Sequence, residues 1–93
     1  MKQVVVLSSF ERSFKKLDAY IAKKVAESLE QFNEFLATGK FSHGFSLKKI
    51  NHDKYEFRVD IKLRIVMKSE GNTFYLVFVG NHDDVKKYLR KFR

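Results

Sequence analysis

His82, near the end of the chain, has a side chain that can take part in proton transfer. It stands in the stretch GNHDDVKKYLRKF (residues 80–92), where a glycine ends an apolar run and two aspartates precede a helix-like stretch rich in positive charge. Imidazole has an intrinsic pKa of about 6.5, so it supplies or removes a proton near neutral pH. The neighbouring glycine, asparagine and aspartates already account for a strand-to-helix corner. His82 is therefore either a catalytic group or a polar corner residue.

The residues that bind metals do not have the spacing of a metal site. His43 and His52 lie nine positions apart, and no matching ligand spacing connects them with the His-Asp-Asp run at 82–84. The chain has no cysteine, which excludes a disulfide framework and a thiolate zinc site. We expect no metal and no cofactor.

The positive charge is concentrated in the second part of the chain. The formal net charge is +8; residues 40–93 carry thirteen Lys/Arg against six Asp/Glu, whereas residues 1–39 are nearly balanced. Such asymmetry is typical of proteins that bind a phosphate backbone or an acidic partner, although lysines also keep a surface soluble. Five lysines near the predicted strands either position an RNA backbone or protect strand edges: Lys48, Lys49, Lys54, Lys62 and Lys68.

Length and composition predict one folded domain over residues 1–93. Hydrophobic residues make up 44% of the chain, with ten Phe and four Tyr, which is ordinary globular content. The apolar run Val4–Leu7 is too short for a signal sequence or a membrane span. We expect a cytoplasmic protein that does not bind membranes.

The first part of the chain has the pattern of a strand followed by two helices. KQVVVL (residues 2–7) is a short β-branched run. Ser8, with Glu11 three residues later, predicts an N-cap for a short helix, and Asp18 predicts an N-cap for a longer one that ends near Gly39. An apolar stripe indicates that this second helix is amphipathic: Ile21, Val25, Leu29, Phe32 and Leu36.

From residue 55 the period changes to two. YEFRVD, LRIVMK and TFYLVFV read as three antiparallel strands, with a turn at Glu70-Gly71-Asn72 between the last two. A short strand around Phe45–Lys49 precedes them. A final basic helix has its apolar stripe at Val85, Tyr88, Leu89 and Phe92. The predicted order is β-α-α-β-β-β-α.

This order, with YEFRVDIKLRIVM leading through a hairpin into LVFVGNHDDVKKY, resembles the RelE/ParE superfamily of bacterial toxins of toxin-antitoxin systems. The resemblance covers nearly the whole chain. It implies an α+β fold, in which a helical hairpin packs on one face of a mainly antiparallel, twisted sheet and a short helix ends the chain.

The RelE-like branch of the superfamily implies a ribosome-dependent endoribonuclease that cleaves mRNA without a metal. The RNA 2′-hydroxyl loses its proton and attacks the adjacent phosphate, charge builds on the phosphoryl oxygens, and the departing oxygen takes up a proton. By the same resemblance, Arg58 and Arg64 match the basic positions that stabilise this charge, and His82 matches the position after the last strand that transfers a proton.

The sequence departs from the family pattern at two places. Glu56 stands where RelE-like toxins carry a lysine. Lys86 occupies the usual place of an aromatic residue that stacks on a base, and Tyr88 follows two positions later. Both are candidate RNA-binding residues, although Tyr88 also belongs to the apolar stripe of its helix.

The resemblance also implies partners and leaves alternatives. A basic toxin of this type pairs with a small, acidic, partly helical antitoxin protein and acts on mRNA and the ribosome. The ParE-like branch has a similar fold but inhibits DNA gyrase without cleaving RNA. An inactive, basic RNA-binding member of the superfamily is the third possibility.

Overall fold

The computed structural model describes residues 3–40 and 47–91. Its elements follow the order β1 (Gln3–Val6), α1 (Ser8–Lys15), α2 (Ala19–Thr38), β2 (Leu47–Lys49), β3 (Lys54–Arg58), β4 (Leu63–Glu70), β5 (Thr73–Asn81) and α3 (His82–Lys91). The predicted α+β order is confirmed, and β2 supplies the short strand expected before the hairpins. Phe45, where that strand was expected to begin, and Phe92 of the last apolar stripe lie outside the described residues.

The two helices of the first half begin and end for local reasons. The Asp18 side chain accepts a hydrogen bond of 2.9 Å from the Ile21 N–H and caps α2. At the other end Gly39 takes a left-handed conformation (φ 75°) and donates to the Phe35 carbonyl. α1 differs from expectation, because its N-cap is the extended residue Leu7 and Ser8 is already the first helical residue.

The five strands form one mixed sheet in the order β1-β5-β4-β3-β2. β1 runs parallel to β5, and the other neighbouring pairs are antiparallel. Gly71 (φ 58°) and Asn72 make the two-residue turn between β4 and β5, as the sequence predicts. The sheet therefore joins the first strand of the chain to the last one.

The hydrophobic core lies between α2 and one face of the sheet. The ring of Phe32 on α2 stacks on Phe57 of β3, with centroids 5.3 Å apart, and meets Phe74 of β5 edge-on at 5.4 Å. Phe57 and Ile65 are fully buried and directly paired across β3 and β4. Because side chains alternate along a strand, the residues next to this pair face the opposite side, called here the outer face.

Two serines of α1 fix the second half of β5. β1 pairs with β5 only as far as Leu76. Beyond that point the Ser9 hydroxyl donates to the Val77 carbonyl at 2.7 Å, and the Ser13 hydroxyl accepts from the Val79 N–H at 3.0 Å. These bonds satisfy strand groups that β1 does not reach, and they hold the strand that leads to His82.

Candidate active site

Arg58 and Arg64 are directly paired on the outer face. They are opposite residues of the antiparallel β3–β4 ladder, and Arg64 is in turn opposite Gly80 on β5. Directly opposed residues have Cα atoms roughly 4.5–5.5 Å apart. Like charges in this position destabilise a sheet. The pair is therefore better suited to binding an anion than to stabilising the fold.

Arg64 has an unused hydrogen-bond donor. Its side chain is only 15% exposed, and in the part of the chain that the structure describes its Nε is buried without a hydrogen-bond partner. Its nearest acid is Glu56, whose Oε1 lies 3.8 Å from Arg64 Nη1. An unsatisfied buried donor costs about 1–3 kcal/mol. A guanidinium with an unused donor can bind an oxyanion such as phosphate.

His82 is the first residue of α3 and is exposed. The corner before it is fixed by its neighbours, because Asn81 Oδ1 accepts from the Asp84 N–H at 2.8 Å and Asp84 Oδ2 accepts from the Asn81 N–H at 3.3 Å. Because these two hydrogen bonds already cap α3, the imidazole of His82 is not needed to hold the turn between β5 and α3.

The register of the strands places His82 at the same end of the sheet as the two arginines. Asn81 pairs with Leu63, which precedes Arg64 on β4. Arg58 is the last residue of β3 at this end. That all three side chains reach one phosphate stays a prediction.

Gly80 allows α3 to start close to the sheet. A Cβ at this position would lie 2.9 Å from Asp84 Cβ and 2.8 Å from Phe78 Cε2, which is too close for either neighbour. Val85, one turn into the helix, is buried. The glycine is thus required by the approach of α3 and not simply by the end of a strand.

Tyr88, a residue of α3, packs against the outer face of the sheet. Its ring stacks on Phe78 with centroids 5.0 Å apart and an angle of 15°, and burial raises the pKa of its hydroxyl. Burial of Val85 and stacking of Tyr88 confirm that part of the helical stripe predicted from the sequence. Contact of Tyr88 with RNA stays a prediction.

The candidate RNA-binding lysines do not form one group. Lys48 is opposite Glu56, and Lys54 is opposite Lys68, so these three lie on the outer face. Lys49 pairs with Tyr55, a residue packed against the core, and faces the other way. Lys54 and Lys68 already contact acids, at 3.4 Å from Asp53 and 3.3 Å from Glu70.

Two further candidate lysines lie outside the strands. Lys62 lies in the turn between β3 and β4. Lys86 lines a cavity of about 300 Å³ between α3 and the segment after β2, together with Arg90, Leu89, Ile50 and Asn51.

Asp60 organises the turn that leads to Arg64. Its Oδ1 accepts from the N–H groups of Lys62 and Leu63, both at 2.8 Å, and its Oδ2 lies 3.5 Å from Lys24 Nζ on α2. Burial opposes ionisation of this carboxyl, but the two backbone donors and the ammonium outweigh it and lower its pKa. Asp60 therefore pairs with Lys24, whereas Glu56 pairs with Arg64.

The described residues show neither a metal-ligand cluster nor a membrane-spanning helix. Over residues 3–40 and 47–91, no three His, Cys, Asp or Glu side chains come together in a way that could hold a metal ion. In the same ranges no helix has the length and apolar character needed to cross a membrane.

The chain is similar in structure to several solved toxins. The RelB-RelE antitoxin-toxin complex from Methanococcus jannaschii matches with a TM-score of 0.68 and 19% identity over 90% of this chain and 96% of that chain. A metal-bound toxin from Helicobacter pylori matches with a TM-score of 0.69 and 19% identity, over 91% and 99% of the two chains. The YoeB dimer from Staphylococcus aureus matches with a TM-score of 0.61 and 16% identity, over 87% and 97%.

These matches show the fold. No protein-family model and no curated protein sequence matches the chain. The chain has the fold of RelE-like toxins, and the resemblance predicted from the sequence is confirmed at that level.

Proposed function

We propose that this protein is the toxin of a toxin-antitoxin pair and that it cleaves mRNA on the ribosome. The observation that carries the proposal is the Arg58–Arg64 pair on the outer face, in which Arg64 is mostly buried and has an unsatisfied Nε. A mostly buried cation with an unsatisfied donor is costly to the fold, but it suits a phosphoryl group that gains charge during a reaction.

The proposed reaction is metal-independent attack by the 2′-hydroxyl on the adjacent phosphate. Arg64 and Arg58 hold the non-bridging oxygens, because guanidinium groups carry full charge at any relevant pH and bind oxyanions in a forked geometry. His82 transfers a proton during the same step, since imidazole exchanges protons near neutral pH. The products are a 2′,3′-cyclic phosphate and a 5′-hydroxyl.

The lysines of the outer face support binding of an RNA backbone. Lys48, Lys54 and Lys68 lie on the same face as the arginines, while Lys62 lies in the turn before β4 and Lys86 on α3. Contacts of this kind position a nucleic acid without reading its sequence.

The proposed partners are a cognate antitoxin, mRNA and the ribosome, and the proposed location is the cytoplasm. The toxin in the complex from Methanococcus jannaschii is bound to its antitoxin. With a formal charge of +8, the present chain is complementary to a small acidic protein. Strong expression without any partner gene should therefore arrest growth.

One experiment separates this proposal from inhibition of DNA gyrase. The full chain is induced in bacteria, the 5′ ends of mRNA are mapped and DNA supercoiling is measured in parallel. We expect new mRNA ends within ribosome-occupied codons and unchanged supercoiling. Altered supercoiling with intact mRNA would favour gyrase inhibition, and normal growth with intact mRNA would favour an inactive RNA-binding protein.

A further inference from the structure

A polar cavity lies between α2 and the end of β3. Its volume is about 310 Å³, which falls within the range of about 300–1,000 Å³ that ligand pockets cover. The polar residues that line it are Lys24, Glu27, Ser28 and Gln31 on α2, Arg58 at the end of β3 and Asp60 in the turn that follows. The cavity therefore has hydrogen-bond donors and acceptors on both of its sides.

The polar side chains on the α2 side of the cavity have no partners in the part of the chain that the structure describes. Glu27, Ser28 and Gln31 stand on one face of the helix, three and four positions apart. Their side chains make no hydrogen bond or ion pair with any described residue. Ser28 is only 9% exposed, so its hydroxyl has lost most of its water without gaining a protein partner, which costs free energy. These groups are available to a ligand.

The charges that line the cavity are partly neutralised. Lys24 Nζ lies 3.5 Å from Asp60 Oδ2, so these two side chains compensate each other across the gap between α2 and the turn. Among the described residues that line the cavity, this leaves Glu27 as the carboxylate and Arg58 as the cation without an ion-pair partner. The cavity thus offers one uncompensated acceptor and one uncompensated donor.

Arg58 connects this cavity to the arginine pair of the candidate active site. It lines the cavity and is directly opposite Arg64 on β4. Among the described residues, β2 pairs with β3 only from Tyr55 to Phe57. Arg58 therefore lies past the end of that pairing, at the margin where the outer face meets the cavity. A phosphate bound by the arginine pair would have the cavity beside it.

We propose that the cavity binds the guanine base of the mRNA nucleotide next to the cleaved phosphate. This inference rests on the proposed function. Guanine is the base whose Watson–Crick edge carries two adjacent donors, N1–H and the N2 amino group, and a carboxylate accepts from both. Glu27 supplies this carboxylate, and the Gln31 amide donates to O6. Adenine and cytosine instead present one amino group beside an unprotonated ring nitrogen, which repels a carboxylate.

The subsite adds a sequence preference to a surface that otherwise binds any RNA. Proteins read single-stranded RNA through the exposed Watson–Crick edges of unstacked bases. The lysines of the outer face position a backbone without reading its sequence. Glu27 and Gln31 would therefore decide which phosphate lies on the arginine pair, and they would do so without taking part in proton transfer.

The first test is single-turnover cleavage of ribosome-bound mRNAs by the full chain. The mRNAs differ only in the base on one side of the cleaved phosphate, which is guanine, hypoxanthine or adenine. We expect adenine to lower the rate roughly 5- to 150-fold. Hypoxanthine lacks only the N2 amino group of guanine and should give an intermediate rate. Equal rates with all three bases on both sides of the phosphate would overturn the subsite.

A variant shows whether this chain or the ribosome distinguishes the bases. Glu27→Ala should cleave the guanine and hypoxanthine mRNAs at equal rates. Glu30→Ala is the matched control, because Glu30 is an exposed acid on the same helix that does not line the cavity. It removes the same charge and should keep the preference for guanine. A preference that survives in Glu27→Ala would mean that the subsite lies elsewhere. Thermal unfolding verifies that both variants fold.

Nucleotide binding tests the subsite without cleavage. Guanosine 3′- and 5′-monophosphates are titrated into the full chain and followed by NMR, with the inosine monophosphates for comparison. We expect tighter binding of a guanosine nucleotide, with shifts at the amides of Glu27, Ser28 and Gln31, and loss of this difference in Glu27→Ala. Equal binding of guanosine and inosine nucleotides would overturn the subsite. Selective guanosine binding by a chain that leaves mRNA intact would overturn the proposed function and support the subsite.

Discussion

Arg58 and Arg64 lie directly opposite each other across the β3–β4 ladder, on the sheet face that α2 does not cover. Opposed like charges destabilise a sheet, and Arg64 adds a buried donor without a partner among the described residues. The contribution of these two arginines to the stability of the fold therefore does not explain why they are paired. An anion placed between the two guanidinium groups would reverse the sign of the interaction, because each cation then faces a shared negative charge.

Replacement of Arg64 by alanine should remove cleavage and leave the fold. The lost charge stabilisation is expected to be about 2–4 kcal/mol, which lowers the rate roughly 30- to 900-fold. The free energy of unfolding should change little, because loss of the Glu56 contact is offset by removal of a like-charge pair and an unsatisfied donor. Single-turnover cleavage and urea unfolding measure the two effects. Lys49→Ala, on the opposite sheet face, is the control, and equal loss in both variants would contradict the prediction.

The substitution His82→Gln, like Arg64→Ala, should abolish cleavage and leave folding unchanged. The start of α3 is set by the reciprocal bonds of Asn81 and Asp84, so the urea midpoint should stay close to that of the wild type. Toxicity on induction and mRNA cleavage should both be lost, by about 10²–10⁴-fold in rate. Asp83→Asn, in the same exposed turn, serves as the control. If the His82→Gln variant were still toxic, His82 would have no catalytic role and would be only a polar residue of the turn between β5 and α3.

Much of the fold could be predicted because it depends on local signals. Asp18 and Gly39 delimit α2, and Gly71 sets the turn between β4 and β5, each through its own backbone preferences. The alternation around Phe57 also indicates which strand residues face away from the core. Long-range features had no such signal: the parallel pairing of β1 with β5 brings together residues about seventy positions apart.

The sequence could indicate the residue types of the candidate site but not the contacts among them. The pairing of Arg58 with Arg64 depends on a turn whose geometry Asp60 sets through two backbone bonds. A signal existed, since an aspartate that binds N–H groups two and three residues ahead is typical of turns. Glu56 contacts Arg64 only when β3 and β4 pair in that register. From the sequence alone, Glu56 was therefore identified as a departure from the family pattern and not as a partner of Arg64.

Binding to ribosomes or RNA should weaken steeply with salt if the outer face contacts a phosphate backbone. Each phosphate contact releases counterions and contributes a slope of about −0.7 in log affinity against log salt for a single strand. Lys68→Ala removes one cation from the outer face and should make the slope shallower by about that amount. Lys49→Ala should have a smaller effect, because Lys49 faces the other side. Affinity that does not respond to salt would indicate recognition through protein contacts alone.

The Asp60 carboxylate should make the stability of the protein depend on pH in the acid range. Its pKa is lower in the folded chain than in the unfolded one, because two backbone donors and Lys24 outweigh the effect of burial. A lowered folded pKa means that the stabilisation is present above the unfolded pKa of about 3.9 and is lost as the pH falls through the folded pKa. Asp60→Asn keeps an oxygen that accepts from Lys62 and Leu63 but has no charge.

We expect Asp60→Asn to be less stable than the wild type by about 1 kcal/mol at pH 7 and closer to it in stability at about pH 2, because the wild-type carboxyl is protonated as the pH falls through its lowered folded pKa. Urea unfolding at both pH values measures the difference. Lys24→Met removes one of the three groups that lower the pKa, so its pH dependence should lie between those of the other two proteins. A difference between wild type and Asp60→Asn that is the same at both pH values would show that the charge of Asp60 does not stabilise the turn before Arg64.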